Sequence, residues 1–272
     1  MLFFIYFFLF YLISCSDNDI NENIFNHTIN NKEAKRKLEN DDYEEINILF
    51  NKYDVEKQCK AYSDLPGYGP VMKEIEVLLN FLETFPNILK KLIKSKKINK
   101  KQINIKADAL QKLQDNNFAV EDGLLDKTFD NDLVIFIGIN TLDEKYDEVD
   151  IIQYDDIDEN RPTVGFIKYN YHFIKKIKEN QKNQILNILF LHGVTHILGF
   201  KKTILRNKNL SVTIDNIGRV KQYKKDVIKN EKILAIARKY YNCSNIDYIE
   251  LDENSAGNNE LIHWEGRGLY DF

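Results

Sequence analysis

Residues 191–200 read Leu191-His192-Gly193-Val194-Thr195-His196-Ile197-Leu198-Gly199-Phe200. Apolar residues lead into this stretch at helical spacing through Ile185, Leu186, Leu189 and Phe190. Gln181 to Leu198 therefore predicts one long, largely buried helix, and Gly199 stands where such a helix needs a C′ residue. His192 and His196 are four residues apart. On a helix that spacing puts both imidazoles on one face, close enough to share a zinc ion.

A hydrolytic zinc helix reads His-Glu-x-x-His, with the Glu as general base toward the attacking water. Here the second position is Gly193, so the metal grip is kept and the base is not. Two His are half of a catalytic zinc site, which has three protein ligands and one open position. A compact site would place a third His six residues after His196, where Lys202 stands. His27 lies in a polar N-terminal stretch, and His172 directly follows a predicted strand. His263, in Leu261-Ile262-His263-Trp264-Glu265 and 67 residues after His196, is the remaining candidate. On the residues alone, a pair of satisfied helix histidines without metal stays open beside zinc ligation.

The rest of the chain bounds the setting. Its 272 residues suffice for one large domain or two small ones. The 38 basic and 42 acidic residues nearly cancel, which gives no reason to expect nucleic-acid binding. Leu2 to Ile13 is an unbroken apolar run followed by Ser14, Cys15 and Ser16. Twelve such residues are too few for a typical spanning helix but match the core of a secretory signal over residues 1–15; an uncleaved anchor is the competing reading. Either predicts a secreted or cell-surface protein, with association with a membrane surface left open. Sequons at Asn26, Asn209 and Asn242 fit that compartment. An oxidising compartment would let Cys59 and Cys243 pair.

Residues 16–60 read as a flexible segment or pro-region, rich in Asn, Asp, Glu and Lys up to position 45. Val71 to Leu92 predicts a helix, ended or bent at Pro86, and the basic run Lys90 to Lys101 a solvated face or loop. Leu133 to Ile139 predicts a buried strand, Asp143 to Asn160 an acidic loop, and Val164 to Tyr169 a second strand. Asn230 is placed to cap a helix through Ile233, Leu234, Ala237 and Tyr241. The resulting division is residues 61–200, carrying the histidine helix, and residues 201–272, an insertion and a partial C-terminal part carrying His263.

Several of these segments, in order, resemble the leishmanolysin family of secreted or surface zinc metallopeptidases. They are His192 to Phe200, a long insertion, and His263-Trp264-Glu265; before them Arg161 to Asn170; between them Tyr241-Asn242-Cys243 and Ile249 to Asn254. The resemblance covers residues 130–272 well and 60–130 loosely. It implies an α+β, metzincin-like fold: a twisted mixed sheet packed on helices, with a long active-site helix. It implies Zn2+ as cofactor, His192, His196 and His263 as its ligands, and an extended peptide or protein as substrate. It also implies that the strand near Gly165–Asn170 forms the upper edge of the cleft.

The departures are specific. The family has Glu where this chain has Gly193, so no catalytic residue is assigned. The chain ends nine residues past His263 with no Met after position 72, so the family's Met-turn is missing and the C-terminal part reads as short. Three functions follow: a zinc metalloendopeptidase impaired at position 193, an inactive zinc-binding pseudopeptidase acting in protein binding or cell adhesion, or a secreted α/β protein with no metal.

Overall fold

The structure is a computed structural model, and it describes residues 43–63, 69–96, 102–140, 148–156, 158, 161–177, 180, 182–215 and 224–251. The first part contains β1 (Tyr43–Glu45), β2 (Ile48–Asn51), α1 (Tyr53–Ser63), α2 (Gly69–Leu92), β3 (Lys94–Lys96), β4 (Ile103–Asn104) and α3 (Ala107–Asp115). The middle contains β5 (Thr128–Phe129), β6 (Leu133–Asn140), β7 (Glu148–Tyr154), β8 (Pro162–Asn170), α4 (Tyr171–Lys176) and α5 (Lys182–Ile197). The last part contains α6 (Lys202–Asn207), β9 (Ser211–Asp215), β10 (Lys224–Ile228), α7 (Glu231–Tyr240) and β11 (Ile249–Glu250).

The central sheet has the order β2-β6-β8-β7. β2, β6 and β8 are parallel, and β7 is antiparallel to β8. The uninterrupted apolar run of β6 follows from burial on both faces. Leu133, Ile135, Ile137 and Ile139 point into one core with α2 and α5. Val134 and Phe136 point into the other, with Ile103, Ile105, Ala109, Leu113 and Phe118. This is the α+β arrangement of a mixed sheet between helices that the sequence predicts.

Aromatic rings join the helices to the sheet in the first core. Phe190 of α5 lies 4.4 Å from Tyr169 of β8, 4.9 Å from Phe81 and 5.4 Å from Phe85 of α2, centroid to centroid. Phe50 of β2 closes the group at 5.7 Å from Phe85. Fully buried rings of this kind contribute about 1.5–3 kcal/mol each relative to exposure. That explains why α2 runs through Pro86 to Leu92 instead of ending there. Phe85 and Leu89, on either side of the proline, are fully buried. Their packing offsets a proline cost of about 3 kcal/mol.

Four expectations are corrected. The acidic stretch 143–160 contains a strand, because Ile151 and Ile152 of β7 are each directed into one of the two cores. β8 is therefore interior, and β7 is the sheet edge among the described residues; the edge does not lie at Gly165–Asn170. Lys94–Lys96, in the basic run, pairs antiparallel with Tyr43–Glu45, so acidic and basic segments meet across β1 and β3. Of the stretch 16–60, residues 43–60 carry β1, β2 and most of α1. The signal predicted at 1–15 lies outside the described residues.

Four helices end in the same way. After α3, α5, α6 and α7 the chain takes a left-handed residue: Asn117 (φ 56°), Gly199 (φ 109°), Asn209 (φ 52°) and Asn242 (φ 49°). In each, the next amide donates to the carbonyl five residues back: Phe118 to Leu113, Phe200 to Thr195, Leu210 to Leu205 and Cys243 to Arg238. These are Schellman ends. Asn230 caps α7 as predicted, its side chain accepting from the Lys232 amide at 3.1 Å.

Beyond α5 a smaller core of Phe200, Leu205, Ile228, Ile233 and Leu251 packs with the antiparallel sheet β11-β10-β9. Asp226 of β10 ties this part together. It accepts from Thr213 Oγ1 at 2.6 Å and Arg206 at 2.7 Å, and pairs with Lys202 at 2.6 Å. Burial raises its pKa, but these bonds outweigh burial and bring the carboxyl down from 3.8 to about 2. A carboxyl depressed on folding stabilises the fold above its unfolded pKa, and that stability is lost as pH falls through the folded value. Acid titration followed by hydrogen exchange of β9 and β10 is thus expected to show weakening between pH 3.8 and about 2. Asp226→Asn is expected to cost about 1–2 kcal/mol at neutral pH, less than the full shift because Lys202 and Arg206 are nearly half exposed.

Candidate metal centre

α5 lies antiparallel across β8, held by two reciprocal contacts. A Cβ on Gly193 would sit 2.8 Å from Ile167 Cδ1, and a Cβ on Gly165 would sit 2.8 Å from Ile197 Cγ2. Each glycine receives an isoleucine from the facing element. The helix axis thereby comes close to the strand, and its C-terminal turn carries the histidines.

His192 is half-buried and His196 is 1% exposed. Their Nε2 atoms are 2.9 Å apart. His196 Nδ1 lies 3.1 Å from the carbonyl of Phe200. A carbonyl only accepts, so Nδ1 carries the hydrogen and Nε2 of the neutral ring presents its lone pair. A bond of this kind is what orients the ring when a His serves as a metal ligand. Two nitrogens bound tetrahedrally to one zinc at about 2.0–2.1 Å lie roughly 3.3 Å apart, a few tenths more than observed. The pair thus fits zinc: replacing the proton between the two Nε2 atoms with a metal needs only a small opening of the rings. Thr195, between the two, does not compete, since its hydroxyl donates to the Leu191 carbonyl at 2.6 Å.

The Phe200 carbonyl is in reach because Gly199 turns the chain back under the helix end. The next residue, Lys201, is buried and pairs with Asp150 of the edge strand β7 at 2.5 Å. The helix end and the sheet edge are thus fastened beside the histidines.

Of the candidates, the structure brings His192 and His196 together. His263 and Glu265 lie outside the described residues, as does His27. His172 is on α4, where its amide donates to Asn170 Oδ1 at 2.8 Å and its ring packs against Tyr171. Among the described residues no group of three His, Cys, Asp or Glu is placed to hold a metal. Cys59 and Cys243 do not pair; both are half-buried free thiols, and burial pushes the Cys59 thiol up. The Phe200 carbonyl, the Lys201–Asp150 pair and the Gly193–Ile167 contact are not legible as site features in the sequence, where only Gly199 signals the turn that builds the first.

Comparison with known proteins gives the family. The sequence profile of the leishmanolysin peptidase family matches residues 75–271. The chain belongs to the leishmanolysin family. Leishmanolysin of Leishmania donovani is 26% identical over 89 residues, 33% of this chain and 15% of that protein's length. The family is one of zinc metallopeptidases.

Gly199→Ala would strain a φ of 109° and bring its Cβ to 3.1 Å from Ile204. A loss of about 1–2 kcal/mol in thermal or denaturant unfolding is expected. Because the same turn presents the Phe200 carbonyl, zinc offered to the two histidines is expected to be held about 10–100-fold less well by the folded fraction of this variant than by the unaltered chain.

Proposed function

We propose that this chain is a zinc metalloendopeptidase of the leishmanolysin type, acting on extended peptides outside the cell or at its surface, and slow at the chemical step. The observation that carries the reading is the pair of Nε2 atoms 2.9 Å apart, one ring fixed by the Phe200 carbonyl. His192 and His196 would hold the zinc, with His263 as third ligand. Bound there, zinc supplies Lewis-acid polarisation of a scissile carbonyl. The side of β7 that pairs with no strand among the described residues would offer main-chain groups to an extended peptide added as a further strand. Lys201, through Asp150, keeps that strand at the helix end.

The slow chemistry follows from position 193. Gly193 can neither take a proton from the attacking water nor pass one to the leaving amine. Such transfer contributes about 10²–10⁴-fold. A second reading, a zinc-binding pseudopeptidase that holds proteins without cutting them, is favoured by the contact of Gly193 with Ile167. That contact leaves no room for a side chain at 193 unless Ile167 gives way.

Zinc content of the purified chain separates these readings from a metal-free protein. Near-stoichiometric zinc is expected, lost in His192→Ala, His196→Ala and His263→Ala; a folded chain without zinc would remove both. Chelator-sensitive peptide cleavage then separates the two readings from each other.

Restoring the base in full should require two changes. Ile167→Val deletes the Cδ1 atom that a side chain at 193 would meet, at a cost of about 0.5–1.5 kcal/mol. Gly193→Glu with Ile167→Val is expected to raise cleavage about 10²-fold or more over the unaltered chain, and Gly193→Glu alone by less. Equal rates in the single and double variants would show that Ile167 does not obstruct the position.

A further inference from the structure

Two of the left-handed helix ends coincide with Asn-x-Ser sequons: Asn209-Leu210-Ser211 after α6 and Asn242-Cys243-Ser244 after α7. Both asparagines are exposed. Their backbones close the Schellman turn, but neither side-chain amide takes part in it. The turn also decides what neighbours them. The residue after each asparagine folds back toward its helix, Leu210 against the small core and Cys243 half-buried, which leaves the asparagine at the outer corner of the turn. A bulky group on Nδ2 therefore points away from the packed surface of the described residues.

We infer that Asn209 and Asn242 are attachment sites for N-linked glycans, an assignment that rests on the secreted or surface setting of the proposed function. The donor is an oligosaccharide linked through pyrophosphate to a polyprenyl lipid. The amide Nδ2 attacks the anomeric carbon. A C–N bond forms, the C–O bond to the pyrophosphate breaks, Nδ2 loses one proton, and the polyprenyl pyrophosphate leaves with the electron pair. The two sites differ in timing. Ser211 is 6% exposed and begins β9, paired with Ile228 of β10, so its sequon is closed once the small sheet forms. Ser244 is exposed in the folded chain. Asn209 is therefore modified before β9 and β10 pair, whereas Asn242 stays accessible afterwards. Glycans at the two corners also stand on the part of the chain that exposes Val212 and Tyr248.

The test is secretion of the full chain from a eukaryotic cell, once with its own N-terminus and once behind the leader of a known secreted protein. Enzymatic release of N-glycans in heavy-oxygen water marks each attachment asparagine for peptide mass analysis. Marks at Asn209 and Asn242 are expected. Asn209→Gly and Ser244→Ala each remove one glycan; neither strains a left-handed position, so the folded yield shows that the loss is not misfolding. Folded protein secreted behind the foreign leader with both asparagines unmarked overturns the assignment. Marks with the foreign leader and none with the native N-terminus uphold the two acceptor sites and overturn instead the secretory reading of residues 1–15.

Discussion

The reciprocal packing of two glycines and two isoleucines between α5 and β8 sets the geometry of the whole site. Gly193 on the helix receives Ile167, and Gly165 on the strand receives Ile197. The spacings agree: one helical turn separates 193 from 197, and two strand residues separate 167 from 165, about 6 Å and 6.6 Å respectively. Two elements with different periods therefore meet twice in register. That fixes the height and rotation of α5, and with them the direction in which His192 and His196 point. The aromatic group around Phe190 then clamps α2 and β2 onto the same helix.

This contact gives the residue at 193 two incompatible demands. A hydrolytic zinc helix wants a carboxylate there, and the close approach to β8 wants no side chain at all. Gly in a helix interior costs about 1 kcal/mol relative to Ala, so the position is held against helix propensity. Ile167 fills the space that a side chain at 193 would need, so the position between the two histidines belongs to the core.

Legibility in the sequence followed from how local each signal was. β6 and α5 announced themselves because both are buried nearly all round, and Gly199 and Asn230 because helix ends use few residue types. β7 was hidden because its acidic residues masked the inward pair Ile151 and Ile152. β1 and β3 are too short and polar to show any period, and only their mutual pairing makes them strands. The partner of Gly193 lies in β8, and no local pattern couples the two. The Phe200 carbonyl is a main-chain group, which no sequence pattern displays.

The left-handed helix ends differ in which residue each one accepts. The chain contains only 11 glycines in 272 residues, and at three of the four turns an asparagine stands where glycine is the usual residue. Those three sit at φ between 49° and 56°, the range an asparagine tolerates. The fourth, at 109°, does not suit asparagine, and there glycine persists. The four terminators are therefore not interchangeable: an asparagine would be strained at 199 where it is at ease at 117, 209 and 242, and the turn beneath the histidines is the one of the four that only glycine fits without cost.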